Sequence, residues 1–105
     1  MEPPSTEPAI TQVPAQDWAT WASDNDAIVI DVREPKEWLL GTLPESQRIS
    51  LANLPSAVPT MDPAQAVLLV CATGVRSTAG ATWLASMGFE KAASLDGGVK
   101  ALGLL

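Results

Sequence analysis

The one cysteine of the chain, Cys71, stands directly after the apolar run Val67-Leu68-Leu69-Val70 and directly before Ala72-Thr73-Gly74-Val75-Arg76-Ser77. Such a run reads as a strand buried on both faces of a parallel sheet, residues 72–75 as a short loop, and residues 76–87 as a helix. In an open α/β sheet, ligands bind beyond the carboxyl ends of the strands, which is where this order of elements puts Cys71. The backbone N–H groups of residues 72–77 can curve into an anion-binding nest, and the N-terminal end of the helix adds partial positive charge. A thiolate is a suitable guest, because such surroundings lower a cysteine pKa from about 8.5 to as little as about 3.5–7.5. No histidine base is then needed, and the sequence contains none, which removes the Cys–His pairing of papain-like proteases. Gly74 permits close backbone approach to a ligand, and Arg76 is the fixed cation nearest in sequence. The competing reading makes Cys71 a small hydrophobe that finishes the strand and Arg76 a solvated first-turn residue, a position the helix dipole mildly disfavours for a cation.

Other polar residues invite a structural reading. Asp31 falls just inside a strand end, and Arg33 and Glu37 are four apart, a spacing at which side chains cap, brace or pair locally. Gly97 and Gly98 read as a turn. The tryptophans at 18, 21, 38 and 83 are expected to be core or half-buried packing residues.

The elements that would position Cys71 alternate between strand and helix. Residues 10–13 alternate apolar and polar like a short strand, and residues 15–23, following Pro14, read as a helix that carries Trp18 and Trp21 on one face and is broken by Asp24-Asn25-Asp26. Ala27-Ile28-Val29-Ile30-Asp31-Val32 is the first strong buried-strand run, followed by a short helix from Pro35 to about Leu40 that Gly41 ends. Residues 48–51 are a candidate short strand, and Pro55, Pro59 and Pro63 restrict the segment after it to brief helical or turn structure. In the helix after Cys71, Ala79, Trp83 and Met87 form one stripe with Leu84 beside them, and Gly88 is its stop. Residues 92–95 make a weak final strand, and Asp96-Gly97-Gly98 turns the chain into a short C-terminal helix. The alternation predicts an α/β domain whose sheet has helices on both faces.

At 105 residues the chain has room for one small domain. Twelve acidic against six basic residues give a net charge of −6 with no basic block, which argues against nucleic-acid binding. The first eight residues hold three of the nine prolines and no apolar periodicity, so residues 1–8 are expected to be a disordered leader and residues 9–105 the domain. The absence of a signal-peptide pattern and of a long apolar stretch predicts a cytoplasmic protein with no membrane contact. One cysteine without histidine rules out an internal disulfide and a structural zinc site by ligand count, and no cofactor is expected.

Cys71-Ala72-Thr73-Gly74-Val75-Arg76-Ser77 resembles the active-site loop of rhodanese domains, which runs Cys, two variable residues, Gly, one variable residue, Arg, Ser. Asp31-Val32-Arg33 with Glu37 and Gly41 is similar to the early signature of that family, and Leu95-Asp96-Gly97-Gly98 to its closing one. Three signatures in the expected order, over about residues 10–102, make a specific match. The sequence departs from the family at Thr42-Leu43-Pro44-Glu45-Ser46, where His-Ile-Pro-Gly-Ala is usual, and at Leu102, near the place of a usual Trp.

The resemblance implies a three-layer α/β domain with a central, mainly parallel sheet of about five strands. It also implies a sulfurtransferase acting in two steps. The Cys71 thiolate takes the outer sulfur of thiosulfate or a low-molecular-weight persulfide, then yields it to a thiol or cyanide acceptor. Cys71 would be the nucleophile; Ala72, Thr73, Gly74, Val75 and Arg76 would bind substrate, the backbone as cradle and Arg76 as orienting charge. The partners would be small molecules, with a protein donor or acceptor as a further option, and the protein a monomer. Two alternatives stand beside this one. A cysteine-dependent phosphatase or arsenate reductase would need a longer ring of N–H donors, since the phosphatases place five residues between Cys and Arg and here there are four. A non-catalytic interaction module is opposed by the intact Cys71.

Overall fold

A computed structural model describes residues 9–104; the expected leader, residues 1–8, lies outside the described residues. Five strands form one sheet in the order β1-β5-β4-β2-β3, every neighbouring pair parallel. They are β1 (Thr11–Pro14), β2 (Ile28–Asp31), β3 (Gln47–Arg48), β4 (Val67–Val70) and β5 (Ala92–Asp96). The connecting helices are α1 (Trp18–Asn25), α2 (Pro35–Trp38), α3 (Leu54–Ala57) and α4 (Val75–Ser86), with short 3-10 turns leading into α1, flanking α3 and closing the chain at Val99–Leu102. This is the three-layer α/β architecture expected from the sequence. No helix among the described residues is long and apolar enough to cross a membrane.

The period-two alternation of strand side chains builds two cores. On one face Val67, Leu69, Cys71, Ile30, Val32 and Ala92 pack with Leu54, Ala81, Leu84 and Phe89 beneath α3 and α4. On the other Leu68, Val70, Val29, Val13, Ala93 and Leu95 pack with Trp18, Trp21 and Val99. β4 lies at the centre and is wholly buried, as its unbroken Val/Leu run requires. Connections leave β2 toward β3 and β4 toward β5, in opposite directions along the sheet, so the crevice between the carboxyl ends of β2 and β4 is a topological switch point.

Several details differ from expectation. The first helix begins as a 3-10 turn over Ala15–Asp17 and runs on to Asn25, where Asp26 in the left-handed region ends it. The strand expected over residues 48–51 is only Gln47–Arg48, because Leu51–Asn53 coils into a 3-10 turn. The buried face of α4 is Ser77, Gly80, Ala81 and Leu84; Ala79 and Met87 are exposed and Trp83 half-buried. Small residues face the sheet because the helix lies close on it: a Cβ added at Gly80 would sit 2.7 Å from Leu69 Cδ1. Leu43, at the departure from the family pattern, is buried in the second core, and Glu45 takes a φ of 61° where the family usually has glycine.

Candidate active site

Cys71 follows the last residue of β4 on the same face as Val67 and Leu69, which aims its side chain beneath the start of α4. The chain reverses within residues 72–74 because Gly74 takes a φ of 99° at the N-cap of α4. There a Cβ would lie 3.2 Å from the Leu95 carbonyl oxygen, so the loop can seat itself on the end of β5 only with glycine at this place. The turn brings two amides onto the sulfur: Gly74 N–H donates to Cys71 Sγ at 3.1 Å and Ser77 N–H at 3.3 Å. Ser77 Oγ stands 3.4 Å from the same atom. The Cys71 side chain is fully enclosed. Burial pushes its thiol up, but the Ser77 hydroxyl and the amides of Ser77, Gly74 and Thr73 more than offset this, and the net effect holds the pKa below the ordinary thiol value.

Of the remaining loop residues, Ala72 turns its carbonyl away from the sulfur to accept from Lys100 N–H at 3.0 Å, next to a bond of 2.9 Å from Val99 N–H to the Cys71 carbonyl. These two bonds strap the closing Gly-Gly turn to the loop. Thr73 and Val75 are exposed on its rim. The amides of Val75 and Arg76 open the helix, where intrahelical partners are lacking, and make no bond to the sulfur among the described contacts. The cradle is thus centred on Gly74 and Ser77.

Arg76 reaches across the switch point to α2. Its guanidinium donates to both carboxylate oxygens of Glu37 at 2.8 Å each. Glu37 also accepts from Glu34 N–H at 2.7 Å, closing a capping box on α2. The Arg76 guanidinium, then the Glu34 amide, hold the Glu37 carboxyl at about 2 against an ordinary 4.5. Glu37 in return raises the pKa of Arg76. The bidentate clamp ties the first turn of α4 to α2 and balances the charge that Arg76 brings to the loop.

Asp31 and Arg33 are both completely buried, in the structural role expected for them. Arg33 Nη2 donates to Asp31 Oδ2 at 2.8 Å and to the Gly41 carbonyl at 2.6 Å, and Nη1 to the Glu37 carbonyl at 3.3 Å. Arg33 therefore pairs with Asp31 and only with the backbone of Glu37, whose carboxylate is left for Arg76. Sequence reasoning counted the Ser77 amide in the nest of residues 72–77 but did not bring the Ser77 hydroxyl, Glu37 or Ser94 into the site. The signal available for Ser94 was a hydroxyl in a run otherwise fit for burial; Glu37 lies 39 residues from Arg76 and carries no local sign of the pairing.

Residues 15–103 match the sequence pattern of the rhodanese-like domain. The chain belongs to the rhodanese-like family. Among curated proteins this rhodanese-like chain is 33% identical over 76 residues to the thiosulfate sulfurtransferase GlpE of Pseudoalteromonas translucida, covering 72% of each chain. Among solved structures it resembles a rhodanese-related protein of Thermoplasma volcanium, with a TM-score of 0.74, 25% identity, and 87% and 88% of the two chains covered. It shares its fold with the human single-domain sulfurtransferase TSTD1, at a TM-score of 0.75, 21% identity, and 90% and 96% covered. Family membership places the chain among rhodanese-fold sulfurtransferases.

Proposed function

We propose that this rhodanese-like domain is a sulfurtransferase that carries sulfane sulfur on Cys71. In the first half-reaction the thiolate attacks the outer sulfur of the donor. A Cys71 S–S bond forms, the donor's own bond to that sulfur breaks, and its electron pair leaves with the departing group, sulfite from thiosulfate or a thiolate from a persulfide. In the second, a cyanide or thiolate acceptor attacks the terminal sulfur and Cys71 leaves as thiolate. Neither step needs an outside oxidant or a proton from a histidine.

The observation that carries this reading is the convergence of the Gly74 and Ser77 N–H groups on Cys71 Sγ at the carboxyl end of β4, with the Ser77 hydroxyl 3.4 Å away. Donors fixed in place stabilise a sulfur anion without reorganising during the reaction. A loop with four residues between Cys71 and Arg76 suits one sulfur atom, and the same length argues against a phosphatase. Residues 72–75 with Arg76 are the proposed substrate loop. Because Glu37 balances Arg76 and the chain carries a net charge of −6, a dianion such as thiosulfate is a weak donor in this proposal and a low-molecular-weight or protein-bound persulfide a better one. The enclosed sulfur must be uncovered by a shift of its rotamer or of the loop before it can attack. The proposed setting is a monomeric domain over residues 9–105 in a reducing cytoplasm, which keeps a lone thiol free.

The test is the intact mass of the protein after brief exposure to thiosulfate or glutathione persulfide and then to cyanide, beside Cys71→Ser. A gain of one sulfur, faster from the persulfide, removed by cyanide and absent from the variant, is expected. No gain from either donor refutes the proposal.

A further inference from the structure

Behind Cys71 a chain of hydroxyls runs from the sulfur to the surface. Ser77 Oγ, 3.4 Å from Sγ, is 2.7 Å from Ser94 Oγ. Thr78 Oγ1 donates to Ser94 Oγ at 3.1 Å, and Gln12 Nε2 donates to Thr78 Oγ1 at 2.9 Å. Three elements meet here: Ser77 and Thr78 open α4, Ser94 lies in β5, and Gln12 is the β1 residue in register with Ser94. Ser77 and Ser94 are completely buried, Thr78 is half-buried and Gln12 is exposed. Ser94 interrupts the otherwise apolar buried stretch of β5, where a hydroxyl without partners would be costly.

We propose that Ser94 and Thr78 are positioning residues that fix the direction of the Ser77 hydroxyl, so that its proton points at the Cys71 sulfur and favours its ionised and persulfidated forms. The inference deepens the reading of Cys71 as the sulfur carrier and rests on it for its purpose. A count of donors sets the direction. Gln12 gives an N–H to Thr78, and Thr78 gives its single proton to Ser94. The Ser94 proton then has Ser77 Oγ as its acceptor among the described contacts, and the Ser77 proton is left for Sγ once the thiol, which as a neutral group donates to Ser77 Oγ, has ionised. A thiolate accepts that proton, whereas a thiol would bring a second proton to the same contact. With all its donors aligned inward, the chain also polarises cooperatively. The lowered Cys71 pKa, to which the Ser77 hydroxyl contributes, agrees with this direction. The charged groups around the sulfur are Arg76 of α4 with Glu37 of α2, and Asp31 and Arg33 closed on each other after β2. Glu34 and Asp96 are exposed at the start of α2 and the end of β5. None of them hydrogen-bonds to Ser77, Thr78 or Ser94 among the described contacts, so the chain can be altered without removing a charge.

Thr78→Val keeps the shape of the side chain and removes its proton. Ser94 can then turn to accept from Ser77, and Ser77 can turn away from the sulfur. The midpoint of Cys71 ionisation, followed by ultraviolet thiolate absorbance and by the pH dependence of iodoacetamide alkylation, is expected to rise by about half to one pH unit, the loss of much of a hydrogen bond to an anion. Alkylation below the midpoint slows by about three- to tenfold accordingly. Ser94→Ala is expected to raise the midpoint as well, and Thr78→Ser, which restores the donor, to return it to the parent value. Should Ser94→Ala fail to fold, the pair of variants at the half-buried Thr78 decides. A midpoint within about 0.2 unit of the parent in Thr78→Val, or an equal rise in Thr78→Ser, overturns the inference. Failure of the sulfurtransferase reading shows itself separately: wild-type protein would then take up no sulfur while its thiolate still followed Thr78.

Discussion

Gly98 is the position at which a single methyl group should act directly on the active-site loop. Its φ of 66° with ψ of −172° lies in a region open essentially to glycine, and an L-residue held there is strained by about 1–3 kcal/mol. A Cβ at Gly98 would also overlap the Ala72 carbonyl and the Thr73 amide, both backbone, so neither can swing aside as a side chain would. Relief requires the loop and the closing turn to part, which threatens the bonds from Val99 N–H to the Cys71 carbonyl and from Lys100 N–H to the Ala72 carbonyl. At about 1 kcal/mol net for each bond, the total for Gly98→Ala is about 3–5 kcal/mol. For a domain of this size that lowers Tm by about 15–30 °C. Gly97→Ala is the matched control: its φ is 81°, yet its added Cβ would meet only the Ala101 Cβ, at 3.0 Å, so its cost is about 1–2 kcal/mol of backbone strain. Thermal and urea denaturation of both variants measure the difference, and alkylation of Cys71 in Gly98→Ala should show a thiolate less favoured than in the parent. If Gly98→Ala is no less stable than Gly97→Ala and titrates like the parent, the closing turn does not buttress the loop and the reasoning fails.

Arg33→Ala leaves the buried Asp31 carboxylate with the amide of residue 33 but no cation and takes the guanidinium from the Gly41 carbonyl, while the Glu37 carbonyl keeps Leu40 N–H; a loss of about 3–5 kcal/mol in urea denaturation is expected, and a loss below about 1 kcal/mol would contradict the enclosed pair. Glu37 is held at about 2 in the folded protein against 4.5 when free, so the native state binds fewer protons between those values. Its contribution is complete above about pH 4.5 and is lost as pH falls toward 2. Because the Glu37–Arg76 pair is partly exposed, with side-chain exposures of 23% and 35%, screening limits this contribution to about 1 kcal/mol. The stability difference between wild type and Glu37→Gln should therefore be constant near neutrality and shrink through that acid window, and a difference independent of pH would refute the pairing.

Elements whose signals are local could be read from the order of residues. The β-branched and leucine runs of β2 and β4 can be buried only as strands of a parallel sheet. Pro35 marks a helix start and Gly41 its end through their own backbone limits, and Cys71 at a strand end before a short glycine-containing loop announces an anion cradle. Three features arose only when the chain packed. Helix α4 turned its small residues, not Trp83 and Met87, to the sheet, because close approach to Leu69 leaves no room for bulk, and a periodicity that weighs side chains by hydrophobicity cannot sense that distance. The short side chains of β5 looked weak, yet the strand lies inside the sheet between β1 and β4, where neighbours on both edges supply what its own residues lack. Glu37 met Arg76, and Ser94 met Ser77, across 39 and 17 residues, because the parallel order of the strands brings their carboxyl ends and the start of α4 together. The nucleophile candidate was legible because its surroundings are its sequence neighbours. The groups behind that first ring were not, because Glu37 arrives on α2, Ser94 on β5 and Gln12 on β1, each distant in sequence.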